Sequence, residues 1–228
     1  MDTDPQKPAI TESTALGSHF IRGLIGLVLV AGGATAIVSL VEQNTRDRIA
    51  TNKSARAMKI VAEVLPSANY DDDPHQDTLL ISDSALLGSD EPLPAYRARF
   101  NLAPTAVALT VVAPAGYVAP IRLLIGIDSE GTVTAVRALD HLETPGLGDQ
   151  IDITKSDWIE QFAGRSLSTG NKLLALRRDG GDLDHISGAT ITSRAVTEAV
   201  RNALKYYEQN REQLFAPNTS AQMPAGEP

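Results

Sequence analysis

The sequence predicts an α+β protein, with a single transmembrane helix near the N-terminus and then a mixed α/β domain containing an antiparallel meander. Three observations carry that prediction. Nineteen consecutive residues, Gly23 to Val41, bear no charge. Between Ala106 and Leu139, three apolar, β-branched runs are separated by turn signals. After about Thr192, apolar residues recur at Ala195, Val196, Ala199, Val200, Ala203, Leu204 and Tyr207, the spacing of one helical face.

Composition narrows the function before any motif is read. The 228 residues suffice for one or two domains with a sizeable core. The net charge is −8 and the pI about 5.0, with no basic stripe, so no nucleic-acid partner is expected. Cysteine is absent, which excludes disulfides, thiolate-bound Fe–S clusters and cysteine zinc sites within this chain. The four histidines, His19, His75, His141 and His185, form no HExxH or other close pair, and no metal site is expected.

In chain order, residues 1–18 are polar with Pro5 and Pro8, and read as a disordered tail. Residues 19–42 form the anchor. Nineteen uncharged residues at about 1.5 Å each match a hydrocarbon core of about 30 Å. Ala34-Thr35-Ala36 also fits a signal-peptide cleavage triplet. The apolar run continues through Ile37, Val38, Leu40 and Val41, longer than a signal core, which favours a retained anchor. Arg46, Arg48, Lys53 and Arg56 follow the span while Lys7 and Arg22 precede it. A plain positive-inside count therefore places the C-terminal part in the cytoplasm. Residues 43–215 make the domain. A helix is expected over 43–65, ended by Pro66, and residues 79–99, with Pro92 and Pro94, fit neither helix nor strand clearly. Strands follow at 107–112, 121–127 and 132–139, separated by Pro114-Ala115-Gly116 and Asp128-Ser129-Glu130-Gly131. A short helix is expected at Asp157–Phe162 and a strand at Lys172–Leu176. Residues 216–228 read as a second disordered tail.

Two stretches carry the chemistry. The third strand runs into Asp140-His141-Leu142-Glu143-Thr144-Pro145-Gly146-Leu147-Gly148, a rigid bend that exposes backbone N–H groups. Turn chemistry alone permits a purely structural loop. Asp184-His185-Ile186-Ser187-Gly188-Ala189-Thr190 precedes the long helix. A helix N-terminus offers unpaired N–H groups and a positive dipole end to a phosphate. Ser and Thr there are ordinarily caps, and Thr192 or Ser193 is the expected cap. Thr190 would then be the outward hydroxyl.

Asp184-x-x-Ser187-Gly188-Ala189-Thr190 resembles the flavinylation motif of the FMN-binding domain family. His141-x-Glu143-Thr144-Pro145-Gly146-Leu147-Gly148 resembles a second segment of the same family. Gly116-Tyr117 with Pro120-Ile121, and Trp158-x-x-x-Phe162-x-Gly164, fit it too. Over roughly residues 20–215 the chain is most similar to the G subunits of Rnf-type electron-transport complexes, and next to the C subunits of Na⁺-translocating NADH:quinone reductases. The resemblance implies covalent FMN, joined as a phosphodiester to Thr190 by a separate flavin transferase. Asp184, Ser187, Gly188 and Ala189 would complete the motif, and Glu143, Thr144 and Leu147 would lie against the flavin. It implies one inner-membrane anchor with the flavin domain on the periplasmic side, opposite to the charge count. It also implies partners: the other membrane subunits of a complex coupling electron transfer to ion translocation, and membrane lipid.

The neighbourhood of Thr190 has no Cys or Lys and one His, so it offers little to activate a weak nucleophile, and an external enzyme is expected to do so. Arg178 or Lys172 would face the flavin's N1 and C2 oxygen, or remain ordinary surface charges. Two other readings stay open on sequence grounds. One is a free-standing, membrane-anchored flavoprotein reductase, although no strand–GxGxxG–helix unit occurs. The other is an anchored binding module without flavin, in which Ser-Gly-Ala-Thr is only a cap.

Overall fold

A computed structural model describes residues 24–36, 38–40, 42, 45, 59–65, 71, 74–167 and 174–216. The chain divides into two compact units, Met1–Ser54 and Ala55–Pro228. In the first, residues 24–36 and 38–40 are helical, and Leu27, Leu29, Val30 and Leu40 are exposed. Among the described residues no helix is long and apolar enough to cross a membrane. Gly23, Ile37 and Val41 of the uncharged run lie outside them, as do the tails 1–18 and 217–228 and most of the helix expected at 43–65.

The second unit contains one five-stranded antiparallel sheet in sequential order: β1 (Thr78–Asp83), β2 (Ser89–Phe100), β3 (Ala103–Ala113), β4 (Ile121–Asp128) and β5 (Val133–Asp140). Local chemistry makes the turns. Asp83 Oδ1 accepts the N–H groups of Ala85 and Leu86 between β1 and β2. Asp128 Oδ1 accepts those of Glu130 and Thr132 between β4 and β5. Asn101 and Leu102 both adopt positive φ, the conformation a two-residue hairpin needs between β2 and β3.

The meander thus has two strands more than the sequence indicates. The stretch carrying Pro92 and Pro94 is strand, because its ladder to β3 begins only at Ala95. Pro94 pairs with Leu80 of the edge strand, where a missing N–H costs least. A second difference lies further on. Among the described residues of the strand expected at Lys172–Leu176, Leu176 makes one parallel bridge to Leu183 and passes into the 3₁₀ turn Arg177–Asp179. Lys172 is outside the described residues. The helix expected at Asp157–Phe162 is the 3₁₀ helix Trp158–Phe162.

Alternation along the strands gives the sheet two apolar faces. Val107, Leu109 and Val111 of β3, with Leu123, Ile125 and Ile127 of β4, pack in one cluster with Val196, Val200, Ala203, Leu204 and Tyr207 of the C-terminal helix, Thr190–Phe215. On the other face Ala106, Ala108 and Leu124 meet Ile60, Val61, Val64 and Leu65 of the helical segment 59–64 and its end. The sheet is therefore the middle layer of three. The C-terminal end of the long helix is held by buried Arg97, which donates to the Ala216 carbonyl at 2.6 Å and pairs with Asp77. Arg99 binds Asp77 and the Phe215 carbonyl as well. Cations at helix C-terminal carbonyls satisfy orphan acceptors and favour the dipole.

Gly126 sets how closely the short helix approaches the sheet. A Cβ there would stand 2.3 Å from both the Val64 carbonyl oxygen and Thr134 Oγ1. Thr134 Oγ1 itself donates to that carbonyl at 2.5 Å. Gly126→Ala must push the helix off the sheet. We expect a loss of about 1–3 kcal/mol, the usual cost of overpacking, read as a lower urea midpoint with an unchanged slope.

Candidate functional site

Three segments meet at one end of the sheet: the β3–β4 turn around Gly116–Val118, the loop that leaves β5, and the N-terminus of the long helix. Their junction is the carboxylate of Glu143, which is 5% exposed. Its Oε1 accepts the N–H of Tyr117 at 2.9 Å and that of Val118 at 3.5 Å. Its Oε2 accepts the Thr192 hydroxyl at 2.6 Å. Two glycines make room. A Cβ at Gly148 would sit 2.4 Å from Glu143 Oε2, and one at Gly116 would sit 2.1 Å from the Ala119 carbonyl oxygen and 3.1 Å from Glu143 Oε1.

Above this junction opens a cleft of about 470 Å³. Tyr117, Glu143, Thr144 and Leu147 line it from one side, and Gly188, Ala189, Thr190, Ile191 and Thr192 from the other. Tyr117, Leu147 and Ile191 are exposed at its rim, so its mouth is apolar. Leu147 lies over Gly188, whose φ is +79° and whose missing Cβ leaves space for the leucine methyl. The size suits a small-molecule site lined by apolar groups with a few polar ones.

The helix begins two residues earlier than the apolar spacing indicates. Thr190 is its first residue, Ala189 is the N-cap, and no side chain among the described residues caps it. Neither Thr192 nor Ser193 is a cap, because other groups take their hydroxyls. Thr192 is bound to Glu143, 49 residues earlier. Ser193 Oγ accepts the Ile186 N–H and donates to the Ala189 carbonyl, both at 3.0 Å, which folds the Ser-Gly-Ala segment back on the helix. Orphan N–H groups at the start of the helix are left for an anion.

Thr190 Oγ1 is reached at 2.8 Å by Nη1 of Arg178. The structure thus brings together Thr190, Gly188, Ala189, Glu143, Thr144 and Leu147, and adds Tyr117, Ile191 and Thr192. Asp184 and Ser187 are exposed and do not line the cleft. Asp184 pairs with Arg177 at 3.1 Å, and its backbone carbonyl accepts Trp158 Nε1 at 2.8 Å. His141 turns inward on its own loop, its Nδ1 accepting the Glu143 N–H at 3.3 Å. Arg178, expected from the sequence to face the flavin's N1 and C2 oxygen or to remain a surface charge, meets the Thr190 hydroxyl. The carboxylate–hydroxyl bond of Glu143 and Thr192 has no local signal, since its partners are far apart in the chain.

The turn carrying Arg178 is pinned to the helix by Asp179, which accepts Arg194 Nε at 2.7 Å and Nη2 at 2.6 Å. The hydrogen bond from Arg194 holds the Asp179 carboxyl below its usual range. A depressed carboxylate pKa stabilises the fold above the unfolded value and loses that effect as pH falls through the folded value. The clamp is therefore intact near neutrality and opens only in acid.

Comparison with known proteins agrees with this geometry. The FMN-binding domain family matches residues 116–205, which include the β3–β4 turn, the loop after β5 and the helix N-terminus. The chain is similar to the G subunit of the ion-translocating oxidoreductase complex of Shewanella baltica, 41% identical over 191 residues, covering 83% of this chain and 90% of that protein. The corresponding G subunit from Vibrio vulnificus is 42% identical over 190 residues, covering 83% and 90%. That from Pseudomonas aeruginosa is 40% identical over 214 residues, covering 93% and 98%.

The junction predicts a coupling. Thr192→Val leaves one buried oxygen of Glu143 without its hydroxyl and should cost about 1–3 kcal/mol, the penalty for an orphaned buried acceptor. Glu143→Gln should cost a similar amount. The double variant should be less destabilised than the sum of the two, as a double-mutant cycle by urea unfolding would show. Strict additivity would mean that the two side chains do not share their energy.

Proposed function

This chain belongs to the family of G subunits of ion-translocating oxidoreductase complexes, and from that premise we propose that it is the FMN-carrying redox subunit of such a complex, with the FMN phosphate esterified to Thr190. The observation that carries the reading is one hydroxyl, Thr190, at an uncapped helix N-terminus on the wall of an apolar cleft. The residues present fit FMN. Thr190, the helix N–H groups and Arg178 suit the phosphate, while Tyr117, Thr144, Leu147 and Ile191 suit a flat ring system. When bound, FMN supplies reversible electron transfer. The cleft would hold it in place, with Leu147, Tyr117 and Ile191 available to a flat ring at a mouth open to solvent.

Glu143 supports the cleft from below. Its two oxygens are engaged by Thr192 and the Tyr117 turn, so its role toward FMN is to fix the positions of Tyr117 and Thr144. Asp184 and Ser187, the exposed members of the motif, present the segment to the flavin transferase. Residues 23–41 anchor the chain in the bacterial inner membrane, with the domain on the periplasmic side. The length of the uncharged run supports the anchor. A covalent bond retains the cofactor in a compartment where free flavin would diffuse away. The tether keeps the carrier beside its partners, the other membrane subunits.

The attachment is tested by expressing the chain with a flavin transferase and viewing denaturing gels under ultraviolet light. Thr190→Ala should abolish the fluorescent band and Thr192→Val should keep it. A band persisting in Thr190→Ala, or flavin mapped by mass to another residue, would refute the assignment. Thr144→Val should keep the band but shift the flavin absorption or midpoint potential. The Thr144 backbone carbonyl accepts Leu147 and Asp149 N–H groups whatever the side chain, so the loop survives that change. The anchor is tested separately. N-terminal sequencing of membrane-extracted protein should find residues 23–41 retained, and a mature start at Ile37 would show cleavage instead.

A further inference from the structure

Resting on the assignment of the FMN ester to Thr190, we propose that Arg178 is the phosphate-binding and positioning residue of this site. Its guanidinium fixes the Thr190 hydroxyl before esterification and neutralises the phosphodiester afterwards.

The arginines of this region are otherwise paired with acids. Arg165 pairs with Asp182, Arg177 with Asp184 at 3.1 Å, and Arg194 with Asp179 through two bonds. Among the described residues, Arg178 forms no close ion pair with a carboxylate, although Asp179 beside it feels its charge, and its Nη1 donates to Thr190 Oγ1 at 2.8 Å. A neutral hydroxyl gains little from a full cation. A phosphodiester on that same oxygen carries a full negative charge with two free oxygens. A guanidinium has five N–H donors in a planar fork, so most remain for those oxygens once one has met Thr190.

The backbone that presents Arg178 is fixed. The Gly181 N–H donates to the Leu176 carbonyl at 3.0 Å. A Cβ at Gly181 would stand 1.9 Å from the Ala175 carbonyl oxygen, and Gly180 has φ +88°. Asp179, the next residue, is clamped to Arg194 one turn into the helix that Thr190 begins. Arg178 is thus set between two anchored neighbours and aimed at the helix start.

This placement also directs the chemistry of attachment. With one Thr190 lone pair accepting from Arg178, the hydroxyl proton is left for a base of the transferase. The bond from Thr190 Oγ1 to the FMN phosphorus forms as the pyrophosphate bond of FAD breaks. AMP leaves, and the hydroxyl proton passes to a base of the transferase. No electrons change hands in this step.

The test uses the full-length protein, purified transferase with its divalent metal, and FAD. Arg178→Gln and Arg178→Leu should slow the initial rate of fluorescent labelling roughly ten- to hundred-fold, the range of a charge-assisted hydrogen bond. Arg178 is exposed, so both variants should melt like the wild type. Arg178→Lys should recover part of the rate, which a purely structural role would not allow. In protein that has been fully labelled, the ³¹P resonance of the ester should move in Arg178→Gln. Wild-type labelling rates in the Gln and Leu variants with an unmoved ³¹P signal would overturn the proposal. So would Arg178→Lys labelling as slowly as Arg178→Leu. Undiminished labelling of Thr190→Ala would instead remove the reading on which the proposal rests, a result distinct from either.

Discussion

The site depends on one buried carboxylate. Glu143 binds the Tyr117 turn with one oxygen and the Thr192 hydroxyl with the other. Those contacts tie the β3–β4 turn, the loop after β5 and the start of the long helix into one body. An anionic side chain this buried is stable only if its oxygens are met by donors. Gly148 and Gly116 are the sterically required partners of that arrangement, since a methyl group at either would meet backbone or the carboxylate itself. The sheet and helix make the frame, and the carboxylate aligns the three pieces that the frame leaves as loops.

The helix serves the cleft at its N-terminus and is secured elsewhere. Its apolar face packs on β3 and β4, and its far end is gripped by Arg97 and Arg99 through the Phe215 and Ala216 carbonyls. Support at the body and at the C-terminal end frees the first turn from structural capping. Caps commonly stabilise a helix by about 1 kcal/mol. Here no side chain among the described residues fills that place, so the N–H groups remain available to an anion.

Much of the frame could be read from the sequence because its signals are local. The β-branched runs of β3, β4 and β5 alternate on two faces, and the helix stripe from Ala195 to Tyr207 is the stripe that packs. Two kinds of information were illegible. Proline obscured β2, because its tolerance at Pro92 and Pro94 depends on which neighbour each ladder position faces. Long-range pairing hid the true role of Thr192, whose partner lies 49 residues away. Arg178 was legible only as one of two cations that could face the flavin ring, not as the partner of Thr190. In sequence it is one of two adjacent arginines before an Asp-Gly-Gly turn, and only the fold of that turn separates Arg177, which meets Asp184, from Arg178, which meets Thr190.

Four hydroxyls compete within seven residues of the motif, and the fold distinguishes them by physical means. Ser193 is fully buried and uses its oxygen twice, as acceptor from Ile186 and donor to Ala189. Thr192 is buried and gives its proton to Glu143. Removing either hydroxyl from its partner to meet a phosphorus would strand a buried polar group. Ser187 is exposed but stands outside the cleft, ahead of Gly188, whose positive φ turns the chain away. Thr190 alone is accessible, faces the cleft, and already holds a cation at its oxygen. On the attachment proposed above, a transferase would not need to discriminate among these hydroxyls by their chemistry. The folded protein offers it one, and a threonine placed two residues later would be spent on the architecture instead.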